Sequence, residues 1–410
     1  MRLPTVGQFK FQMNAMAQQF NQIQALQLQA TNGKKIQRAS DDPSLANRIR
    51  AVEEHLQQQK SFELNNALAE SQTQLAFSHL QEGVNLVGQI QQLMQRARSD
   101  VTSEEDKKNI AEQLRGHLNS LLMIANAQDG NRDYIFSGLN TKTPAYQLGA
   151  SGFEYQGSQE AFMIPIGGDQ AITYHDSGYL VFGDIFLGNG TFSVSADVIN
   201  NTGTGVISSG QALTNYIPDE YTITFIVNDS GKLAYKVTGQ ESGQVIPVPP
   251  DEAPVYQPGA VIQFNGVSLE VSGQPHAGDT FNVKPSSRQN VFNTLQAIID
   301  TLESPVNTPK EKADFHQAMN EHASSMQQIF NHLQLRLNEL GNRAKTIDDQ
   351  KLFTENVVTE QKILLGKLSD ADMAQVIADL SQKLAAIQVT QQSYLRIQET
   401  FFALLNRWNS

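Results

Sequence analysis

The chain has 410 residues, no cysteine, and a formal net charge of -12 from 30 Lys+Arg against 42 Asp+Glu. The length is enough for two or three domains with cores of their own. The missing thiols exclude a disulfide scaffold, a cysteine zinc site, an iron–sulfur cluster and a thiol nucleophile. The acidic balance excludes the basic footprint that nucleic acid or an anionic membrane surface would need. No stretch reaches the ~18 apolar residues of a spanning helix, and no cleaved secretory signal is expected at the start.

The charge is unevenly placed. Between Ala145 and Pro285 there are 14 acids and 3 bases, whereas the two flanks together hold 28 and 27. Nineteen of the 28 glycines lie in the same middle segment. An acidic, glycine-rich segment is thus inserted into a near-neutral chain, and its charge suits a soluble surface.

Residues 5–31 predict a helix with a narrow apolar seam of Phe9, Met13, Met16, Phe20 and Ile23. The steps alternate 4 and 3, as in a coiled coil. No charged residue lies between Lys10 and Lys34, so this helix is suited to being surrounded by neighbours. Asn32-Gly33 supplies a left-handed stop. Asp42 then caps a long helix that opens on Pro43 and runs to about Arg98. Gly83 and Gly88 inside it predict tight helix contact or a bend. A capping box, Thr102 with Glu105 or Ser103 with Asp106, opens a third helix that ends at Asp129-Gly130-Asn131.

The period then changes to two. Strands are predicted at Tyr134–Phe136, Phe153–Gln156, Gly178–Phe182, Thr191–Val194, Tyr221–Val227, Leu233–Val237, Val261–Phe264, Ser268–Val271 and Thr280–Val283. Asn228 to Gly231, Asn265-Gly266 and Gly273 mark turns, and the prolines from Pro247 to Pro258 mark a loop.

Helical periodicity returns at Asn290. A short helix is followed by a very long one from about Pro309 to Leu365, weakly interrupted at Gly341. Ser369 offers a cap for the last helix, with Asp370 and Asp372 in its first turn. That helix carries a second heptad seam: Met373, Ile377, Leu380, Leu384, Ile387, Tyr394, Phe401, Leu405 and Trp408, interrupted by Gln391 and Gln398. The predicted fold class is α+β: a long helical coiled-coil or bundle core built from both chain ends, with an inserted all-β domain. The expected domains are 1–40 plus 366–410 (terminal coiled coil), 41–144 plus 286–365 (long-helix bundle) and 145–285 (acidic β domain). Isolated helices are marginal in water, so the ends are expected to order when packed by neighbours.

No catalytic, cofactor or metal site is expected. The eight histidines show no i,i+4 pair and are expected on solvated surfaces. Asp41/Asp42 and Asp370/Asp372 sit at helix starts, where capping accounts for them. His175, Asp176 and Ser177 are adjacent in sequence and cannot stack as a triad. Gly203-Thr204-Gly205 and Gly167-Gly168 lack the lysine and helix of a phosphate loop. Tyr174, Tyr179 and Tyr235 leave open a stalked adhesin or glycan binder, although aromatic strand positions are more often core.

Several segments together carry a family resemblance. They are Met1 to Thr5, Thr31 to Ile36, Ser40-Asp41-Asp42-Pro43, and Asp129-Gly130-Asn131 with Tyr134 to Gly138. Phe153 to Gly157, Leu337 to Arg343 and Leu368 to Met373 continue the set. In this order and at both chain ends, they resemble the bacterial flagellin-like family, and within it the hook–filament junction proteins. Pro43 after the Asp-Asp pair and a tail from Phe401 to Trp408 without proline favour the junction branch over a filament-forming flagellin.

The resemblance implies a structural, non-enzymatic protein of the flagellum, secreted unfolded by type III export. It implies self-association in a helical layer between the preceding hook-associated protein and flagellin. An export chaperone would hold the C-terminal helix beforehand. The terminal seams would be the assembly interface, with the β domain facing outward.

Overall fold

The computed structural model describes residues 5–99, 101–247 and 252–408. Its helices are α1 (Thr5–Asn32), α2 (Pro43–Ala97), α3 (Glu104–Ala125), α4 (Gly178–Phe182), α5 (Val291–Glu303), α6 (Pro309–Ser369) and α7 (Met373–Trp408). Its strands are β1 (Tyr146–Gly149), β2 (Gly152–Tyr155), β3 (Phe162–Pro165), β4 (Ala171–His175), β5 (Ile185–Phe186), β6 (Phe192–Ala196), β7 (Val206–Ile207) and β8 (Gln211–Ala212). They continue with β9 (Tyr221–Val227), β10 (Leu233–Gly239), β11 (Gly243–Ile246), β12 (Val261–Phe264), β13 (Val267–Ser272), β14 (Thr280–Pro285) and β15 (Arg288–Gln289). The α+β class holds: long helices from both chain ends pack together and carry an inserted β domain.

The chain divides into two compact units, Met1–Leu64 with Lys351–Ser410, and Asn65–Gln350. In the first, α1 packs on α7. The C-terminal end of α1 is tied to the chain just ahead of α7, so the two helices run antiparallel.

The second unit has its own helical core. Leu80, Val87 and Ile90 of α2 meet Leu114 and Leu121 of α3, Leu295 and Ile298 of α5, and Met326 and Leu333 of α6. These positions recur at helical spacing, so each helix offers one apolar stripe to the shared interior. Tyr146, Phe153, Val181, Phe182 and Ile185 join this core. Phe292 lies 4.6 Å from Tyr146 and 5.8 Å from Phe153 between ring centroids.

A separate core sits between two antiparallel sheets. One has the order β11-β10-β9-β14-β6; the other runs β12-β13-β7, with β8 also pairing β13. Alternation sets the inner face: Tyr221, Ile223 and Phe225 from β9 meet Val267, Leu269 and Val271 from β13. Asn265-Gly266 turns β12 into β13 with both residues at positive φ, 41° and 76°.

The hairpin β3–β4 is held on the helices by polar groups. Asn65 and Asn66 of α2 donate to the carbonyls of Pro165 and Ile166 at 2.7 and 3.1 Å. Arg343 of α6 grips Asp176 with two bonds of 2.8 Å.

Several expectations are corrected. Gly178–Phe182 is a helical turn, not a strand. Gly178 donates to the Phe136 carbonyl at 2.6 Å, and a Cβ there would stand 2.6 Å from that same oxygen. The chain therefore coils around the contact, and Val181 and Phe182 fall into the core as helical neighbours. Tyr134–Phe136 forms turns with one bridge to Gln128, because Asp129 Oδ1 collects the amides of Asn131 and Asp133 and folds the segment on itself. Helix α6 passes Gly341 unbroken and ends at Ser369. Gly83 lies in ordinary contact with Leu121 and Ile124, while a Cβ at Gly88 would meet nothing within 4 Å.

Arg343→Ala leaves the Asp176 carboxylate without its cation in a site where both side chains are only 16% exposed. The loss of unfolding free energy should be about 2–4 kcal/mol by denaturant titration. A loss below about 1 kcal/mol would show that the pair is solvated and dispensable.

Candidate assembly surface

The terminal helices begin from a tight polar junction. Gly33, at φ 69°, closes α1 by donating to the Gln29 carbonyl at 2.9 Å. Its own carbonyl accepts from Ala371 at 2.8 Å, and the Lys35 amide donates to the Ser369 carbonyl at 2.7 Å. The Lys34 ammonium reaches Ser369 Oγ at 3.3 Å and Asp370 Oδ1 at 3.5 Å. Backbone bonds in both directions thus fix where α1 ends relative to where α7 begins.

Three of the four aspartates act as sequence spacing suggests, through backbone amides. Asp41 Oδ2 accepts from Gln37 and Arg38 at 3.0 and 2.8 Å, and Asp42 Oδ1 accepts from Leu45 at 2.9 Å. The cap of α7 is Asp372, not Ser369: Asp372 Oδ1 accepts from Ala374 at 3.0 Å and Gln375 at 3.2 Å. Ser369 is the last residue of α6, and its hydroxyl turns to Asp370.

The seams beyond this junction are only partly covered. Ile23 and Ile387 are buried, at 4% and 5% exposure. Met16, Leu380 and Tyr394 are half-buried. Met13, Phe20, Met373, Ile377 and Leu384 are exposed, Phe20 by 48% and Ile377 by 54%. The side chains of Phe9, Phe401, Leu405 and Trp408 lie outside the described residues. Val376 is also buried, which the heptad reading missed. Its signal was the spacing of 4 to Leu380 and 11 to Ile387.

Exposed apolar residues extend past the seams. Phe11 and Leu28 on α1, and Val389 and Leu395 on α7, are open to solvent. Large exposed apolar side chains on both helices are what an interaction surface would need.

Most residue types that could carry chemistry are tied into the fold, although both ring nitrogens of His175 lack a hydrogen-bond partner. His175 is buried, against expectation, and desolvation lowers its pKa. Its Nε2 stands 3.9 Å from Asp129 Oδ2, while Asp176 faces Arg343 and Ser177 Oγ donates to the Ser158 carbonyl. These three side chains diverge, so no triad forms. Around Gly203, the Asp279 carboxylate accepts from the amides of Thr202, Gly203 and His276. An acid fills the nest that a phosphate would need. Tyr174 packs on Phe162, Tyr179 donates to Asp184, and Tyr235 lies beside Phe225. Among the described residues, no group of three or more His, Asp or Glu could hold a metal ion, and no helix is long and apolar enough to cross a membrane.

Terminal helices with uncovered seams, a helical body and an inserted sandwich define a flagellin-like structural protein. The bacterial flagellin N-terminal helical region matches residues 10–141. The crystal structure of flagellar hook-associated protein 3 from Legionella pneumophila is 32% identical, covers 78% of this chain and 98% of its own, and superposes with a TM-score of 0.75. The flagellar junction protein FlgL of Legionella pneumophila is also 32% identical, over 74% of this chain and 99% of its own, with a TM-score of 0.69. Flagellar hook-associated protein 3 of Salmonella typhimurium is 20% identical across 99% of this chain and 100% of its own length. The chain belongs to the flagellar hook-associated protein 3 family, the structural proteins of the hook–filament junction. Its place is extracellular, in the flagellum.

Asp372→Ala removes the cap of α7 and should cost about 1 kcal/mol locally. Hydrogen exchange should lose protection at Ala374, Gln375 and Val376, with α3 and α5 unchanged. Unchanged exchange at these three amides would show that the Lys34–Asp370 junction alone sets the helix start.

Proposed function

We propose that the chain builds one layer of the hook–filament junction by lateral self-association through the two terminal seams, and that this layer templates flagellin polymerisation. The supporting observation is the apolar surface of α1 and α7, where Phe20 and Ile377 stay about half exposed in the single chain. Burying the exposed half of such side chains stabilises an assembly by roughly 1 kcal/mol each, before the cost of association. Neighbouring copies offer the same seams, so a closed layer can bury what one chain leaves open.

The finer reading follows the same logic. In this reading residues 1–40 with 366–410 would form the inner tube, 41–144 with 286–365 a second layer, and 145–285 would face outward. The acidic excess of the last segment suits solvent, and the near-neutral ends can crowd without repulsion. The preceding hook-associated protein lies on one side of the layer and flagellin on the other. Before assembly, a chaperone at the C-terminal helix would cover the α7 seam. A non-catalytic role is supported by the likeness to structural proteins of the flagellum.

A deletion strain should make hooks without filaments and release flagellin into the medium, as seen by electron microscopy and immunoblotting. Complementation with the native chain should restore filaments, and Ile377→Asp should not, although the variant folds. Normal filaments in the deletion strain would overturn the reading.

A further inference from the structure

The first unit also contains the opening of α2 and the end of α6. There α2 buries Leu56 and Phe62, and α6 buries Thr354 and Val358. Each helix nevertheless keeps large apolar side chains in water. Leu64 of α2 is 67% exposed, Phe353 of α6 is 60% exposed, and Leu364 is exposed as well. These residues lie outside the α1 and α7 seams.

Charged residues share faces with them. On α6, Phe353, Glu360, Leu364 and Lys367 follow at steps of 7, 4 and 3, which keeps them on one stripe of a helix. On α2, Glu53, Lys60 and Leu64 follow at steps of 7 and 4 and form another. All seven side chains are exposed. None of the four charged ones has an ion-pair partner among the described residues. Both stripes run from acid to base along the chain, and in both the interval is seven residues. That interval spans about 10 Å of helix. Laid parallel, the stripes would set acid on acid and base on base. Laid antiparallel, Lys60 faces Glu360, Glu53 faces Lys367, and Leu64 falls beside Phe353.

We propose that the α2 stripe of one copy lies antiparallel on the α6 stripe of the next copy, as a second lateral contact besides the terminal seams. The inference rests on the self-association reading and adds the surface and its direction. The occupant is a second copy because one chain carries both halves of the matched pattern, each exposed and unpaired. The two stripes are different surfaces, so the contact is heterologous and can pass from copy to copy around a layer.

The two kinds of residue divide the work. Leu64, Phe353 and Leu364 supply apolar area to bury. Exposed ion pairs add little affinity, but like charges set face to face oppose the wrong direction. The two charged pairs therefore select the antiparallel arrangement and its register.

The native chain has no cysteine, so cross-links can be placed without background. The full chain with Lys60→Cys and Glu360→Cys together is expressed in the deletion strain, and cells bearing filaments are oxidised. The double variant should give a ladder of dimers, trimers and larger products on a non-reducing gel, and each single variant should stay monomeric. Monomers alone from the double variant, dimers from a single variant, or a link to a different protein would overturn the proposal. A lysine-reactive cross-linker on the native chain in the same cells separates the two readings. Multimers there without the cysteine ladder refute this contact alone, and no multimers refute self-association as well. If the double variant forms no filaments, charge reversal decides. Lys60→Glu should lower filament number about two- to fivefold, and adding Glu360→Lys should restore it. No restoration would refute the pairing.

Discussion

Two helices packed side by side can each hide only the stripe that faces the other. This limit governs the terminal unit. Between them α1 and α7 bury Ile23, Val376 and Ile387, and they leave Phe11, Phe20, Leu28, Ile377 and Leu395 in water. Among the described residues of the single chain, these side chains stay uncovered. Under the proposed assembly a neighbouring copy would cover them, and other features suit that arrangement. The charge-free run from Lys10 to Lys34 lets α1 be enclosed without burying an ion. The junction through Gly33, Lys34, Ser369 and Asp370 fixes the start of α7 against the end of α1 before any neighbour arrives.

The second unit meets the opposite condition. Its helices share an interior of Leu80, Ile90, Leu114, Leu295 and Met326, and its sandwich closes over Ile223, Phe225 and Val267. Both are satisfied within one chain. Stability and the proposed assembly therefore draw on different residues. Loss of Arg343 acts on the folded body, whereas the proposed assembly makes the α1 and α7 seams act on what the body can join.

Much of this was legible because it rests on local chemistry. Asp42 before Pro43, Ser103 before Asp106, Asn290 before Val291 and Asn265-Gly266 each act within three or four residues, and each does what its type dictates. The two seams were visible as period, but period says which side chains share a face and not whether a partner is present. Gly178–Phe182 was misread because its coil is decided by Phe136, forty residues earlier in the chain, and a run of apolar residues fits strand or helix. His175 reads as a surface residue in sequence for the same reason: its ring is buried by packing against Phe162 and Tyr174 and lies 3.9 Å from Asp129 on another loop. Asn65, Asn66 and Gln317 look like ordinary polar helix positions. Their roles come from the carbonyls and amides of the hairpin and sandwich that fold back on them.

The central claim is that one chain leaves its terminal helices short of partners. Hydrogen exchange on the monomer and on the assembled layer tests it most directly. The account predicts that α1 and α7 exchange rapidly in the monomer, while α3 and α5 stay protected, and that assembly slows α1 and α7 to match them. Terminal helices already protected in the monomer to the level of α3 would contradict it.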